Sequence, residues 1–105
     1  MKILAIEEER SDIHPAQFQP YLKAEAARLW ELTQKGFVRE AHFHAEKHVA
    51  VLVLECDSVS AASRLLQSLP LVENGLIAFD LLPLVPYDGF ARLFASESQE
   101  AEPGE

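Results

Sequence analysis

The sequence predicts an α+β domain of ferredoxin-like βαββαβ order: a four-stranded antiparallel sheet with two helices on one face. Three observations predict it. Four short apolar runs and two stretches of helical spacing follow one another as strand, helix, strand, strand, helix, strand. The two middle strands are separated by little more than the polar pair Glu46-Lys47, which signals a hairpin. The third and fourth strands are apolar on both faces, yet two helices cover only one face of such a sheet. The remaining face therefore calls for a partner, and a second copy of the same sheet stacked about a two-fold axis supplies one.

Each element has a local reason. Ile3-Leu4-Ala5-Ile6, bounded by charge, is the first strand. Polar residues follow, with one turn of helix around Pro15 to Phe18. Pro20 suits a first helical position, so the main helix runs from Pro20 to Lys35 and stops at Gly36. Its stripe is Leu22, Ala26, Leu29 and Thr33, with Trp30 and Leu32 beside it. The second strand spans Phe37 to Ala45, and alternation puts Val38, Glu40, His42 and His44 on one face. Val49 to Leu54 is the central third strand. Asp57 or Ser58 caps a second helix that Pro70 ends. Asn74-Gly75 turns the chain into a fourth strand, Leu76 to Leu82, whose pairing Pro83 limits. The segment from Val85 to Phe94 starts irregular and turns helical, and its Tyr87, Phe90 and Phe94 either reach a neighbour or fold back.

Composition bounds the function. The chain has 105 residues, enough for one domain, and 49% of them are hydrophobic. Its 17 acidic and 9 basic residues give a net charge of -8 without any Lys/Arg stripe, which argues against nucleic acid and against an anionic membrane. Glu97, Glu100, Glu102 and Glu105 crowd the polar C-terminus, so residues 96–105 read as an acidic disordered tail on a domain of residues 1–95. The single Cys56 forms no intrachain disulfide, and no apolar run has the length of a signal peptide or a membrane span. These features suit the cytoplasm. A phosphate-cradling glycine loop, a nucleophile elbow and a zinc-binding cysteine pair are all missing, and the His42-x-His44 spacing leaves metal binding only the minor option, with His14, His48 or Asp80 as the third ligand.

The candidate chemistry lies on the second strand. Glu40, His42 and His44 share a face and offer a proton acceptor and donor near neutral pH. The competing reading is a solvated strand edge or histidines bonded at an interface. Asp80 is the lone charge in an apolar strand. It is either a pocket base, paired with Arg39 or a histidine, or an acid at a wet edge. Trp30 and Tyr87 would line an apolar pocket or belong to the core. Cys56 reads as a packed small residue.

Several segments carry a resemblance. Leu22-Lys23-Ala24-Glu25, Gln34-Lys35-Gly36, Arg39, Glu55-Cys56-Asp57-Ser58-Val59 and Leu69-Pro70-Leu71 resemble muconolactone isomerase and its relatives. The spacing from Gly36 to Leu71 matches without gaps, and the resemblance covers about two thirds of the chain, centred on Leu22 to Pro86. It implies a ferredoxin-like fold paired into a dimeric α/β barrel, with larger rings built from it. It also implies a double-bond shift in an unsaturated lactone, without metal or organic cofactor. Lys23 and Glu25 match the family's pattern at the start of the main helix; Lys23 would hold a ligand carboxylate, or the two form an ordinary exposed helical pair, which is the better reading. The chain departs from the enzyme at Glu40-Ala41-His42-Phe43-His44 and at Pro86-Tyr87-Asp88-Gly89-Phe90.

Three functions are therefore in play. The first is a cofactor-independent isomerase acting on a small unsaturated lactone or organic acid. Its catalytic residues would be Glu40, His42, His44 and Asp80, and its ligand-binding residues Lys23, Trp30, Arg39 and Tyr87. The second is a non-catalytic dimeric binding or assembly module. The third is a cofactor-free monooxygenase of the α/β-barrel group.

Overall fold

The computed structural model describes residues 1–95; the acidic tail expected at 96–105 lies outside them. The described chain folds as expected into a ferredoxin-like α+β domain. Strands β1 (Lys2–Glu7), β2 (Val38–Phe43), β3 (Ala50–Glu55) and β4 (Phe79–Leu84) form one antiparallel sheet in the order β2-β3-β1-β4. Helices α1 (Leu22–Gln34) and α2 (Val59–Leu66) cover one face. Short 3-10 turns at Pro15–Gln17 and Gln19–Tyr21 lead into α1, and another spans Gly89–Phe94.

Alternation sorts the central strands. Ile3 and Ala5 of β1 and Leu52 and Leu54 of β3 point to the helices and are fully or almost fully buried. They meet Leu32 from α1 and Ala62 and Leu66 from α2 in the main core. Their neighbours Leu4, Ile6, Val51 and Val53 must then face the other way. With Leu82 and Leu84 of β4, both exposed, they form the open face of the sheet.

Caps and turns fall where backbone chemistry demands them. The Ser58 hydroxyl accepts from the Ala61 N–H and starts α2. His14 caps the first 3-10 turn, accepting from the Ala16 N–H through Nδ1. Gly36 follows α1 with φ +86° and Gly75 turns the chain with φ +72°.

The structure corrects four expectations. The helix predicted to end at Pro70 stops at Leu66, and Pro70 instead opens a separate short helix, α3 (Pro70–Glu73), as its fixed φ allows at a first helical position. The fourth strand begins at Phe79, not Leu76. Leu76 and Ile77 are spent on a second small core with Leu71, packed against Ile13, Phe18 and Tyr21. Pro83 lies within β4, tolerated because β4 is an edge strand. The second strand does not alternate evenly. Val38 pairs with Leu54, but the next partner, Val53, is met by Glu40, so Arg39 is the extra residue of a β-bulge. The bulge turns Val38 into the core and sends Glu40 and His42 to the open face.

Gly36 has open space around its Cβ position, so Gly36→Ala tests backbone strain alone. The variant is expected to lose about 1 kcal/mol, read as a lower urea midpoint at unchanged slope.

Candidate functional site

Between the sheet and α1 lies an apolar cavity of about 310 Å³. Leu22, Ala26 and Leu29 of α1 form one wall, Phe43, Ala50, Leu52 and Phe79 of the sheet the other, and Leu69, Leu71 and Ile77 an end. Alternation explains its polar content. Ile3, Ala5 and Glu7 share the helix-facing side of β1, so the strand's last residue is driven into the space between the layers. Glu25 sits three residues after Leu22 and four before Leu29, so it too falls on the stripe that faces the sheet. Each carboxylate satisfies a backbone donor: Glu7 Oε1 accepts from the Ala50 N–H and Glu25 Oε1 from the Leu71 N–H, both at 2.9 Å.

Burial raises both acids above the ordinary carboxylate range. Their backbone hydrogen bonds pull the other way. His48 also favours ionised Glu7, whereas the charge of Glu7 pushes Glu25 further up. The His48 ring stacks on Phe43, with centroids 4.5 Å apart, and lines the cavity beside Glu7. A second, shallower groove of about 400 Å³ adjoins the cavity, sharing Glu7, Phe18, Leu22 and His48. Arg10 and Lys47 line this outer groove. Lys47 Nζ bonds Glu9 at 3.1 Å, and Arg10 bonds Asp12 and the Gly75 carbonyl.

The residues singled out from the sequence lie elsewhere. Glu40 and His42 are brought together, 3.0 Å apart, on the open face. His44 has left the strand, and its Nδ1 accepts from the Glu46 and Lys47 N–H groups, shaping the hairpin. Asp80 is on the open face too, but on the opposite edge strand from His42, exposed. Arg39 donates from Nε to the Gly36 carbonyl at 2.7 Å, not to Asp80. Lys23 is exposed on α1. Trp30 and Tyr87, expected in a pocket or the core, are 62% and 68% exposed. None of the eight lines the cavity. Glu7, Glu25 and His48 do, and one signal for Glu25 was legible: an acid in phase with an apolar helical stripe. Cys56 is buried, as a packed small residue should be. Among the described residues, no three His, Cys, Asp or Glu side chains are arranged to hold a metal ion. No described helix is long and apolar enough to cross a membrane.

No protein-family model matches the chain, and a search of the curated proteins finds no match. Solved structures do match in fold. Muconolactone isomerase superposes with a TM-score of 0.68 at 20% sequence identity, over 84% of this chain and 92% of that one. The 5-chloro-2-hydroxyhydroquinone dehydrochlorinase of Burkholderia phenoliruptrix, in complex with 2,5-dihydroxybenzoquinone, gives 0.59 at 18% identity, over 85% and 98%. The fold named by the resemblance in the sequence is thus the fold of this chain.

A raised acid makes stability pH-dependent with a definite sign. The folded protein binds the Glu25 proton more tightly than the unfolded chain does. Stability is therefore lost as pH rises through the window between the ordinary glutamate pKa and the raised one. Glu25→Gln keeps the acceptor for Leu71 and removes the charge. Its Tm is expected to exceed that of the wild type at pH 8 and to match it at pH 4. A gap equal at both pH values contradicts the assignment.

Proposed function

We propose that the cavity between the sheet and α1 is the active site of a cofactor-independent isomerase or lyase for a small unsaturated lactone or organic acid. The observation that carries this reading is the pair of carboxyl groups, Glu7 and Glu25, held with raised pKa in an otherwise apolar space. Moving a double bond beside a carbonyl needs a base to take a proton from one carbon and an acid to return one to another. Two acids whose surroundings push them apart divide these roles. Glu7 has His48 beside it, which favours its ionised form, so it takes the role of the base. Glu25 carries the added repulsion of Glu7, which favours its protonated form, so it takes the role of the acid. The substrate ring fills the apolar cavity, while a substrate carboxylate stays at the rim with Lys47 and Arg10. The volume suits one small molecule. The fold shared with muconolactone isomerase and the dehydrochlorinase supports the class of reaction.

The protein works as a homo-oligomer in this reading. Leu82 and Leu84 are exposed on the open face, as are Val85, Phe90, Leu93 and Phe94 on the arm after β4. Apolar surface of this extent favours association. The buried Cys56 thiol fits a reducing, cytoplasmic setting.

Muconolactone turnover followed by NMR in D2O tests the site. Wild type is expected to convert the substrate. Glu7→Gln and Glu25→Gln are each expected to lower kcat by roughly 10²–10⁴-fold with little change in KM. If His42→Ala abolishes turnover and the two glutamine variants do not, the Glu40–His42 pair is the acid–base pair instead. If the wild type shows no conversion and no deuterium uptake, this substrate class is overturned.

Light scattering on a sizing column is expected to give no monomer at micromolar concentration. A stable monomer overturns the oligomer.

A further inference from the structure

The apolar wall of the cavity does not end at its mouth. Leu29, Ala26 and Leu22 line the cavity from α1, and Phe18 stands four residues before Leu22, between the two 3-10 turns. This spacing carries one stripe past the start of the helix. Phe18 and Leu22 line both the cavity and the outer groove, as do Glu7 and His48 from the sheet side. The two spaces therefore meet between these side chains. Beyond them the groove is again lined by apolar residues, Ile13, Pro15, Val49 and Leu76. Leu22 lies on the sheet-facing stripe yet is 43% exposed, because the groove opens over it.

Size and charge define what the groove takes. The cavity, at about 310 Å³, is at the lower end of the range for small-molecule sites, roughly 300–1,000 Å³. The groove, at about 400 Å³, is at least as large, so it holds a second group of comparable bulk. The cations at its edge already face acids: Arg10 lies 2.8 Å from Asp12, and Lys47 lies 3.1 Å from Glu9. Glu8 lines the groove as well. One substrate carboxylate competes for these cations at the edge, but a second anion meets acids there.

Resting on the active-site reading above, we infer that the substrate has two parts: an unsaturated lactone or acid in the cavity, and an uncharged apolar group of about ring size in the outer groove. The second part passes between Phe18 and Leu22 on one side and Glu7 and His48 on the other. Its burial against Ile13, Val49 and Leu76 supplies binding energy away from the reacting carbons, and that energy holds the ring against Glu7 and Glu25. Muconolactone lacks this group, so it acts as a truncated substrate and turns over more slowly than an analogue that carries it.

Two ligand series on the full chain test this, one that only binds and one that reacts. The first is the saturated counterpart of muconolactone, which has no double bond to move, with hydrogen, methyl, propyl or phenethyl on its acid arm. Titration calorimetry is expected to show Kd falling roughly threefold to fourfold per methylene until the groove is filled. The second is the matching unsaturated series, in which kcat/KM is expected to rise in the same order. Gln19→Trp adds bulk at an exposed position that lines the groove but not the cavity. It is expected to weaken the phenethyl ligand about tenfold or more and the unsubstituted one far less, with circular dichroism to check the fold. A Kd that stays flat or rises with substituent size, or no binding at all, overturns the two-part substrate. The active-site reading still stands in that case if muconolactone is turned over. Tighter binding along the first series without reaction in the second overturns the isomerase reading and upholds the groove as the seat of an apolar group. An equal loss for the short and long ligands in Gln19→Trp puts the substituent elsewhere and overturns the assignment.

Discussion

The constraint on which everything else depends is the alternation of β1 and β3. Ile3, Ala5, Leu52 and Leu54 are claimed by the helices, so the strands have no freedom left. Two consequences are forced. Leu4, Ile6, Val51 and Val53 must form an apolar face on the far side, and Glu7, next in phase after Ala5, must enter the space beneath α1. A surface in need of a partner and a carboxylate in an apolar cavity thus have one origin. A slip of one residue in β1 would put Leu4 and Ile6 under the helices and remove Glu7 from the cavity.

Much of this was legible in the residues. The order of elements, the Gly36 stop, the hairpin at Glu46-Lys47 and the Ser58 cap follow from local chemistry, and local chemistry is what a sequence displays. What could not be read was set by tertiary contact. Leu76 and Ile77 have every property of strand residues, but the turns ahead of α1 offered Ile13, Phe18 and Tyr21 as closer packing partners. Trp30 adjoins the apolar stripe of α1 yet lies on the solvent side of it, since neighbouring stripe positions do not all face inward. The bulge at Arg39 carries no glycine to announce it. With a straight strand, Val38 in the core would have brought Glu40 and His42 in with it. Glu40 and His42 stand on the open face and not in the cavity for that reason. Glu25 was hidden differently: beside Lys23 at the start of a helix, it looks like half of a surface pair.

The cavity shows a conflict between folding and chemistry. Nothing in the fold requires an acid at Glu7 or Glu25. Each is pushed toward its neutral form by the apolar lining, and a folded core gains nothing from that. Glutamine would make the same hydrogen bonds to Ala50 and Leu71 without the penalty. Groups that weaken a protein at neutral pH and cluster around a space of ligand size are candidates for function on physical grounds.

The bulge at Arg39 has an evolutionary meaning as well. Point substitutions change a cavity wall one side chain at a time. A strand that carries one surplus residue can exchange its whole lining at once, if that residue migrates to the hairpin. Glu40 and His42 would then turn beneath α1, and Ala41 and Phe43 would turn outward. A descendant of this chain could acquire a histidine-lined cavity, and surrender its polar flank, through a single insertion paired with a single deletion.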